Sequence, residues 1–359
     1  MRRWIFHLDL DEFIAAVERL RRPELEGKPI IVGGDGDPTK RGVVSTASYE
    51  ARAFGIRSAM PLRTAYKRNP DATFLPVDAD AYLAASREVM DTLRTFDAEV
   101  EVAGWDEAYL AVDSDDPERV AAEIQRRVLE QTRLWSTIGI GDNRLQAKLA
   151  SGLGKPRGMF VLTSDRWSEL MFAQPVTELW GIGSKTAAKL AELRIRTVGQ
   201  LARADEEALA ERFGPNTGPW LASLGRGEGS ATVHLEGWTP KGHGRERTFQ
   251  RDLTDLEEIR RETIRLADAV LDDLRREERP ATHITVKVRF APFFTSTHGV
   301  TLDEPTMAPD TLRAAALRAL QRFDLDRPVR LLGVRAEMTQ RGDREARDAD
   351  ADATAEPER

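Results

Sequence analysis

Two blocks of alternating strand and helix patterns, separated by a stretch without a convincing strand, constrain how this 359-residue chain can fold. Residues 1–165 alternate short apolar runs with amphipathic helical spacing, which predicts an α/β or α+β domain. Residues 174–230 show short helical patterns and two glycine-rich turns. Residues 245–338 follow the order β-α-β-β-α-β, which is typical of a ferredoxin-like sandwich. We therefore expect two α/β domains with a helical region between them.

Composition narrows the class of protein. The absence of cysteine excludes disulfides, thiolate metal sites and a cysteine nucleophile. No apolar run reaches the roughly 18 residues of a membrane span, so a soluble cytoplasmic protein is expected. Lys and Arg number 53 against 60 Asp and Glu, a net charge of −7, which taken alone argues against a nucleic-acid partner. Residues 341–359 hold seven of the acids and four of the bases, so this stretch supplies −3 of that charge.

Four carboxylates stand where predicted strands end or turn. Asp9 and Asp11 lie at the end of the first strand, and Asp106 and Glu107 are adjacent at the turn of a predicted hairpin. Carboxylates that converge repel each other, and Mg²⁺ prefers such oxygen ligands while keeping positions open for water and phosphates. Two such ions serve in-line phosphoryl transfer. The alternative from spacing alone is that Asp9 and Asp11 cap the following helix and that Asp106 and Glu107 form a solvated acidic turn.

A second group of residues is basic. Tyr49 and Arg52 are three residues apart and therefore share a helix face, and Lys155 lies in a glycine- and proline-rich turn. A guanidinium, an ammonium and a phenol together can hold a polyphosphate. The alternative is that Tyr49 packs in the core and that Arg52 forms a surface ion pair.

A glycine hairpin opens a predicted helix in the middle region. Gly181 and Gly183 flank one residue and precede Lys185, and such a turn offers backbone N–H groups to a phosphate. It resembles a helix-hairpin-helix element, which binds the DNA backbone without reading its sequence. An ordinary tight turn between two helices is the alternative.

Taken together, these stretches resemble the Y-family of translesion DNA polymerases, in particular the DNA polymerase IV (DinB-like) branch. Their order along the chain is more specific than any one of them. The motifs that carry the resemblance are HLDLDEFIAAVE (7–18), ASYEARAFGI (47–56), WDEAYL (105–110), GIGDNRLQAKLASGLGKPRG (139–158), LWGIGSKT (179–186) and RPVRLLGVR (327–335).

The resemblance implies a multidomain α+β fold shaped as a right hand. The palm is expected to be ferredoxin-like, the thumb helical with a helix-hairpin-helix, and the little finger β-α-β-β-α-β. The implied boundaries are a palm at 1–10 and 79–166, fingers at 11–78, a thumb at 167–231, a linker at 232–243, a little finger at 244–339 and a disordered acidic tail at 340–359.

The resemblance also implies a function, template-directed addition of nucleotides to a primer 3′-hydroxyl. The expected partners are primer-template DNA and nucleoside triphosphates, and the expected cofactor is two Mg²⁺ ions, with Mn²⁺ as a substitute. Asp9, Asp106 and Glu107 match the catalytic metal ligands, helped by the carbonyl of Leu10. The matching positions for nucleotide binding are Glu12 and Phe13 through their backbone N–H groups, Ile14, Thr46, Tyr49, Arg52 and Lys155, and those for the DNA backbone are Gly181, Gly183, Lys185, Lys287, Arg289, Arg330 and Arg335.

Two departures from the family pattern carry predictions. Ile14 stands at the steric-gate position, which is usually Tyr or Phe, and a branched aliphatic side chain covers less of the ribose than a ring does. We therefore expect weak discrimination against ribonucleotides, the alternative being that Ile14 is a core residue and Phe13 is the gate. The tail lacks the Gln and large apolar residues of a sliding-clamp peptide, so clamp binding is not expected. We expect low processivity and a monomeric protein.

Two other functions fit parts of the sequence. A palm-domain nucleotidyl cyclase uses similar carboxylates but needs no grip on a duplex. A non-catalytic DNA-binding scaffold would keep the fold without needing the set Asp9, Asp106, Glu107 and Lys155.

Overall fold

The computed structural model describes residues 1–235, 237 and 239–339. The chain divides into two compact units. Among the described residues, the first comprises 1–37 and 43–237, and the second comprises 38–42 and 239–339. The tail expected to be disordered, 340–359, and two residues of the expected linker lie outside the described residues. None of the described helices combines the length and apolar character needed to cross a membrane.

The first unit contains eight strands and eleven α-helices among the described residues. The strands are β1 (Arg2–Leu10), β2 (Ile30–Val32), β3 (Thr46–Ala47), β4 (Thr73–Leu75), β5 (Glu99–Val102), β6 (Glu107–Ser114), β7 (Ser136–Gly141) and β8 (Met159–Leu162). The helices are α1 (Phe13–Arg21), α2 (Tyr49–Arg52), α3 (Leu62–Arg68), α4 (Ala79–Leu93), α5 (Pro117–Thr132), α6 (Arg144–Gly154), α7 (Trp167–Met171), α8 (Ser184–Glu192), α9 (Val198–Ala202), α10 (Glu206–Phe213) and α11 (Thr217–Gly225).

Strand β1 is the centre of a five-stranded sheet in the order β5-β6-β1-β7-β8. It pairs antiparallel with both β6 and β7, and its middle residues are buried on both faces of the sheet. Side chains of β1 join a core with Tyr82, Leu93 and Ile124 from α4 and α5. A central strand covered on both faces is stabilised by burial rather than by alternation of polar and apolar residues. The sheet therefore fixes the C-terminal end of β1, where the sequence predicts chemistry.

The remaining parts of the first unit are small. A three-stranded sheet in the order β3-β2-β4 holds residues of the expected fingers. The expected thumb contains α7 to α11 and no strand between residues 174 and 230, as the sequence predicts. Thr197 is the N-cap of α9 and forms a capping box with Gln200. This local motif fixes the start of a helix without tertiary contacts.

The second unit follows the predicted order β-α-β-β-α-β, and the segment 38–42 belongs to it as well. Its sheet runs β11-β10-β12-β9. Two helices cover one face, so the opposite face of the sheet carries polar and charged side chains. The elements are β9 (Gly242–Leu253), α12 (Leu256–Glu277), β10 (Ala281–Phe290), β11 (Phe294–Thr306), α13 (Pro309–Leu320) and β12 (Val329–Met338).

Close contact between α6 and β7 depends on Gly139. A Cβ at this position would lie 2.0 Å from the carbonyl oxygen of Ala147 and 2.2 Å from the backbone nitrogen of Ser151. Helix α6 carries Lys148 and leads into Lys155, so the backbone contact at Gly139 sets where both cations lie.

Replacing Gly139 with alanine should lower the free energy of unfolding by about 3 kcal/mol, because the backbone of α6 must move away from the sheet. Gly152→Ala in the same helix is the matched control, since a Cβ there meets nothing within 4 Å. It should raise stability by about 0.5 to 1 kcal/mol. Urea unfolding of both variants measures the contrast, and equal stabilities would contradict it.

Candidate active site

The pairing of β1 with β6 brings the predicted acidic residues together. Asp9 lies directly opposite Glu107, and the backbone N–H of Leu10 donates to the carbonyl oxygen of Asp106 at 2.8 Å. The β5–β6 hairpin is present as predicted, and the amide of Gly104 donates to the carbonyl of Glu107 at 3.1 Å. The three carboxylates are thus contributed by the end of one strand and the start of its neighbour.

The negative charges of the neighbouring carboxylates affect the ionisation of Asp106. Burial raises the pKa of Asp106, and the negative charges of Asp9 and Glu107 raise it further. No three His, Asp or Glu side chains of the described residues are already arranged around a common metal position. The side chains of Asp9, Asp106 and Glu107 nonetheless offer carboxylate oxygens, which are hard ligands, and a divalent cation would relieve the repulsion between their charges. The residues present therefore fit such an ion.

Two lysines contact the carboxylates directly. Lys155 Nζ lies 2.5 Å from Asp9 Oδ1, and Lys148 Nζ lies 2.5 Å from Glu107 Oε2. Both lysines come from α6 and the residue that follows it. The cluster of acids is therefore partly neutralised by cations that one helix supplies.

His7 holds Glu107 from inside the protein. Its side chain is fully buried, with Nδ1 2.8 Å from Ser151 Oγ and Nε2 3.2 Å from Glu107 Oε2. The hydrogen bond from His7 lowers the pKa of Glu107, and Lys148 lowers it further, whereas burial raises it. The resulting pKa is about 2. Burial lowers the pKa of His7 itself. A neutral imidazole that donates to an ionised carboxylate fits both shifts.

Asp11 is a structural acceptor, and the alternative that Asp9 and Asp11 cap the following helix is wrong. Its buried carboxylate accepts hydrogen bonds from the hydroxyl of Tyr49 (2.8 Å), the hydroxyl of Thr137 (3.1 Å) and the backbone N–H of Arg157 (2.8 Å). Helix α1 has no side-chain cap. Asp11 therefore joins the start of α1, the small helix α2, strand β7 and the turn that contains Lys155.

Tyr49 is fixed at both ends. While its hydroxyl donates to Asp11, its backbone N–H donates to the side chain of Glu12 at 2.6 Å. Burial raises the pKa of Tyr49, and the hydrogen bond to Asp11 raises it further. The guanidinium of Arg52 lies 5.0 Å from the ring centre of Tyr49, and its Nε donates to the carbonyl of Ala47. The predicted shared face is confirmed, and Arg52 has no ion pair with a carboxylate of the described residues.

The two residues at the start of α1 differ in exposure. Phe13 is 3% exposed and belongs to the core, whereas Ile14 is only partly buried at the edge of that core. The ring of Phe13 is therefore held inside the protein. Thr46, another predicted nucleotide-binding residue, lies in β3 opposite Val32.

The glycine hairpin of the thumb has the predicted position before a helix. Gly183 is the N-cap of α8, and Lys185 is in its first turn. Gly181 has a φ of 97°, and a Cβ there would lie 2.8 Å from the ring of Trp220. Glycine is needed at this position both for its backbone angle and for the close indole.

The predicted DNA-binding residues of the second unit lie on β10 and β12. Arg335 pairs with Thr285 across these strands and is exposed. Lys287 Nζ lies 2.7 Å from Glu246 Oε1 of β9, so an acid on the same sheet already neutralises it. Arg289 donates from Nε to Thr295 at 2.8 Å.

Sequence reasoning gave no role to His7, Lys148, Ser151 or Thr137. The signal for His7 was present, because residues two apart on a strand share a face and His7 precedes Asp9 by two. Its partner Ser151 lies 144 residues away, and only the packing of α6 on the sheet brings the two together.

Comparison with known proteins identifies the family. The model of the impB/mucB/samB family matches residues 8–152, and that of its C-terminal domain matches residues 240–348. The model described as "DNApol eta/Rev1, HhH motif" matches residues 174–228. A protein of Mycobacterium tuberculosis named DNA polymerase IV 2 is 50% identical over 340 residues, which are 94% of this chain and 98% of that protein. The chain belongs to the Y-family of DNA polymerases, in the DNA polymerase IV (DinB-like) branch.

Other relatives and solved structures agree with this assignment. The DNA polymerase IV of Desulfatibacillum aliphaticivorans is 38% identical over 336 residues, which are 92% of this chain and 84% of that protein. A Dbh–Dpo4–Dbh chimera of Y-family polymerases has a TM-score of 0.83 at 26% identity, covering 93% of this chain and 98% of that one. An insertion ternary complex of Dbh DNA polymerase has the same coverage and identity with a TM-score of 0.65. The protein is a DNA-directed DNA polymerase of the translesion type.

Loss of Asp11 should destabilise this polymerase more than loss of the hydroxyl that it binds. Asp11→Ala leaves three donors, of which the hydroxyl of Thr137 is buried, without their acceptor and should lower the free energy of unfolding by about 3 kcal/mol. Tyr49→Phe removes one hydrogen bond and should cost about 1 kcal/mol. Chemical denaturation of the two variants gives the comparison. Equal losses would show that the bonds from Thr137 and Arg157 contribute nothing.

Proposed function

We propose that Asp9, Asp106 and Glu107, with the carbonyl of Leu10, hold two divalent cations, most suitably Mg²⁺, for primer extension. When bound, such ions lower the pKa of a hydroxyl nucleophile and stabilise charge on a leaving pyrophosphate. The observation that carries the proposal is the convergence of the three carboxylates where β1 ends beside the start of β6: Asp9 lies opposite Glu107, and the backbone N–H of Leu10 donates to the carbonyl of Asp106. His7 and Lys148 hold Glu107 ionised and both contact its Oε2, so Oε1 is the oxygen that we assign to a cation.

The triphosphate would lie between Arg52 and Lys155. Arg52 is anchored through Nε to Ala47, which leaves its terminal nitrogens to donate to phosphate oxygens. The hydroxyl of Tyr49 donates its hydrogen bond to Asp11 and is therefore not free to donate to a phosphate. We propose that Tyr49 chiefly supports the guanidinium of Arg52 with its ring. Thr46 and the backbone N–H groups of Glu12 and Phe13 complete the proposed nucleotide site.

Substitution of one carboxylate tests the metal assignment, and the behaviour of the wild-type chain separates the polymerase from a scaffold and from a cyclase. Asp106→Asn keeps the size of the side chain but removes one of the three charges, and primer extension should fall at least roughly a hundredfold. Asp113→Asn is the matched control, since Asp113 lies near the far end of β6, the strand that begins directly after Asp106, and is exposed. Extension of a primed template over a range of Mg²⁺ concentrations measures both.

Extension that survives in Asp106→Asn would refute the metal assignment. A wild-type chain that binds primer-template DNA and never extends it would favour the scaffold, and conversion of a nucleoside triphosphate without a template would favour the cyclase.

We infer that Ile14 lets the pocket for the nucleotide sugar accept ribose as well as deoxyribose. Ile14 is the second residue of α1 and is partly exposed, while the ring of Phe13 is 3% exposed and packs in the core. The burial of Phe13 supports Ile14 rather than Phe13 as the residue that faces the nucleotide sugar. An isoleucine side chain leaves room that a ring would fill, so a 2′-hydroxyl should be accepted.

Replacing Ile14 with tyrosine should therefore raise the preference for deoxyribonucleotides by roughly tenfold or more. Ile14→Leu keeps an aliphatic side chain and should leave the preference near that of the wild type. The ratio of kcat/KM for the two kinds of triphosphate is the measurement. If wild type and Ile14→Tyr reject ribonucleotides equally, the proposal is wrong.

DNA binding would use the N-terminus of α8 with Gly181, Gly183 and Lys185, and the open sheet face of the second unit with Arg335. Because Glu246 already neutralises Lys287, this face offers less charge than the sequence suggests. We propose that the affinity is modest and falls steeply with salt, which fits low processivity.

A further inference from the structure

Two adjacent phenylalanines are exposed at the β10–β11 turn of the second unit. Phe293 is 65% exposed and Phe294 is 56% exposed. Neighbouring large apolar side chains that are exposed to solvent indicate a binding surface. The turn is not loose, because the backbone N–H of Ala291 donates to the carbonyl of Pro328 at 2.9 Å and the ring of Phe294 stacks on that of Phe290 at 6.3 Å.

Three arginines surround the two rings. The guanidinium of Arg330 lies 4.7 Å from the ring centre of Phe293, and that of Arg289 lies 5.9 Å from it. The guanidinium of Arg327 lies 5.1 Å from the ring centre of Phe294. These separations are those of cation–π contacts. We call these five residues, Phe293, Phe294, Arg289, Arg327 and Arg330, the Phe-Arg patch.

Two of the three arginines of the patch lack the carboxylate partners that several arginines elsewhere in the described part of the unit have. Elsewhere in this unit arginines contact acids, as in the Arg247–Glu262 pair at 2.8 Å and the Arg251–Glu258 pair at 2.6 Å. Within the described residues, neither Arg289 nor Arg327 forms an ion pair with a carboxylate. Arg289 donates to the hydroxyl of Thr295, and Arg327 donates to the carbonyl of Ala291. The charges of Arg289 and Arg327 therefore remain available to an anionic partner.

We propose that the Phe-Arg patch binds unpaired nucleotides of single-stranded nucleic acid. Exposed aromatic faces next to cations suit this partner, because its bases can stack on the rings while its phosphates meet the guanidinium groups. A duplex hides its base faces and would use only the charges. The proposal rests on the proposed function, in which the unpaired template ahead of the primer end is the single-stranded partner, but it concerns a surface distinct from the carboxylates.

Binding to labelled oligonucleotides, measured by fluorescence anisotropy without metal or nucleotide, tests the proposal. The probes are a single-stranded oligothymidylate and a blunt duplex of equal length. Phe293→Ala should weaken binding of the single strand about tenfold and change binding of the duplex less than twofold. Phe293→Trp should keep the affinity for the single strand. Leu256→Ala, which removes another exposed apolar side chain of the same unit (53% exposed), should change neither affinity.

Several results would overturn the proposal. One is an unchanged affinity of Phe293→Ala for the single strand, and another is an equal loss for both probes, which would indicate a duplex contact. A third is a change in self-association of Phe293→Ala, by sedimentation, without a change in single-strand binding, which would identify a second copy of the chain as the partner. Because the assay requires no catalysis, an enzyme that fails to extend primers leaves this measurement intact, and the two proposals fail separately.

Discussion

The position of β1 at the centre of its sheet is the constraint on which the candidate site depends. This strand pairs with β6 on one side and β7 on the other, so Asp9 lies opposite both Glu107 and Thr137. Side chains alternate along a strand, and a shift of one residue would turn Asp9 to the other face and bring Leu8 or Leu10 in its place. Burial of Phe6 and Leu8 in the core prevents this shift. The same apolar residues that stabilise the sheet therefore fix the spacing of the carboxylates.

Convergence of acids requires compensation, and α6 supplies it. Lys148 contacts Glu107, Lys155 contacts Asp9, and Ser151 holds the imidazole of His7 against Glu107. All three come from one helix and the residue after it, and that helix lies directly on the backbone of β7 at Gly139. Stability and the proposed chemistry are coupled here, because Lys155, which offsets the charge of Asp9, is also the lysine proposed to bind the triphosphate.

Much of the fold could be predicted from local signals, whereas the partners within the site could not. The end of β1 after Leu10, the β5–β6 hairpin and the β-α-β-β-α-β order depend on periodicity and turn residues that neighbours in sequence provide. The role of Asp11 depends on Thr137 and Arg157, which are more than a hundred residues away. With local information alone a helix cap was a reasonable alternative for Asp11, and the tertiary hydrogen bonds decide against it.

The pairing of Lys287 shows why charge cannot be read from single residues. Lys287 and Glu246 lie on strands separated by β12, and the residue between them in register is Gly333. Since Gly333 has no side chain, the lysine reaches across β12 to the acid, and a Cβ at this glycine would lie 2.8 Å from Cγ of Glu246. A basic residue predicted to hold DNA is thus neutralised within the sheet. In a chain with a net charge of −7, attraction to nucleic acid then depends on those cations that no carboxylate of the described residues contacts, and such local attraction is strongly screened by salt.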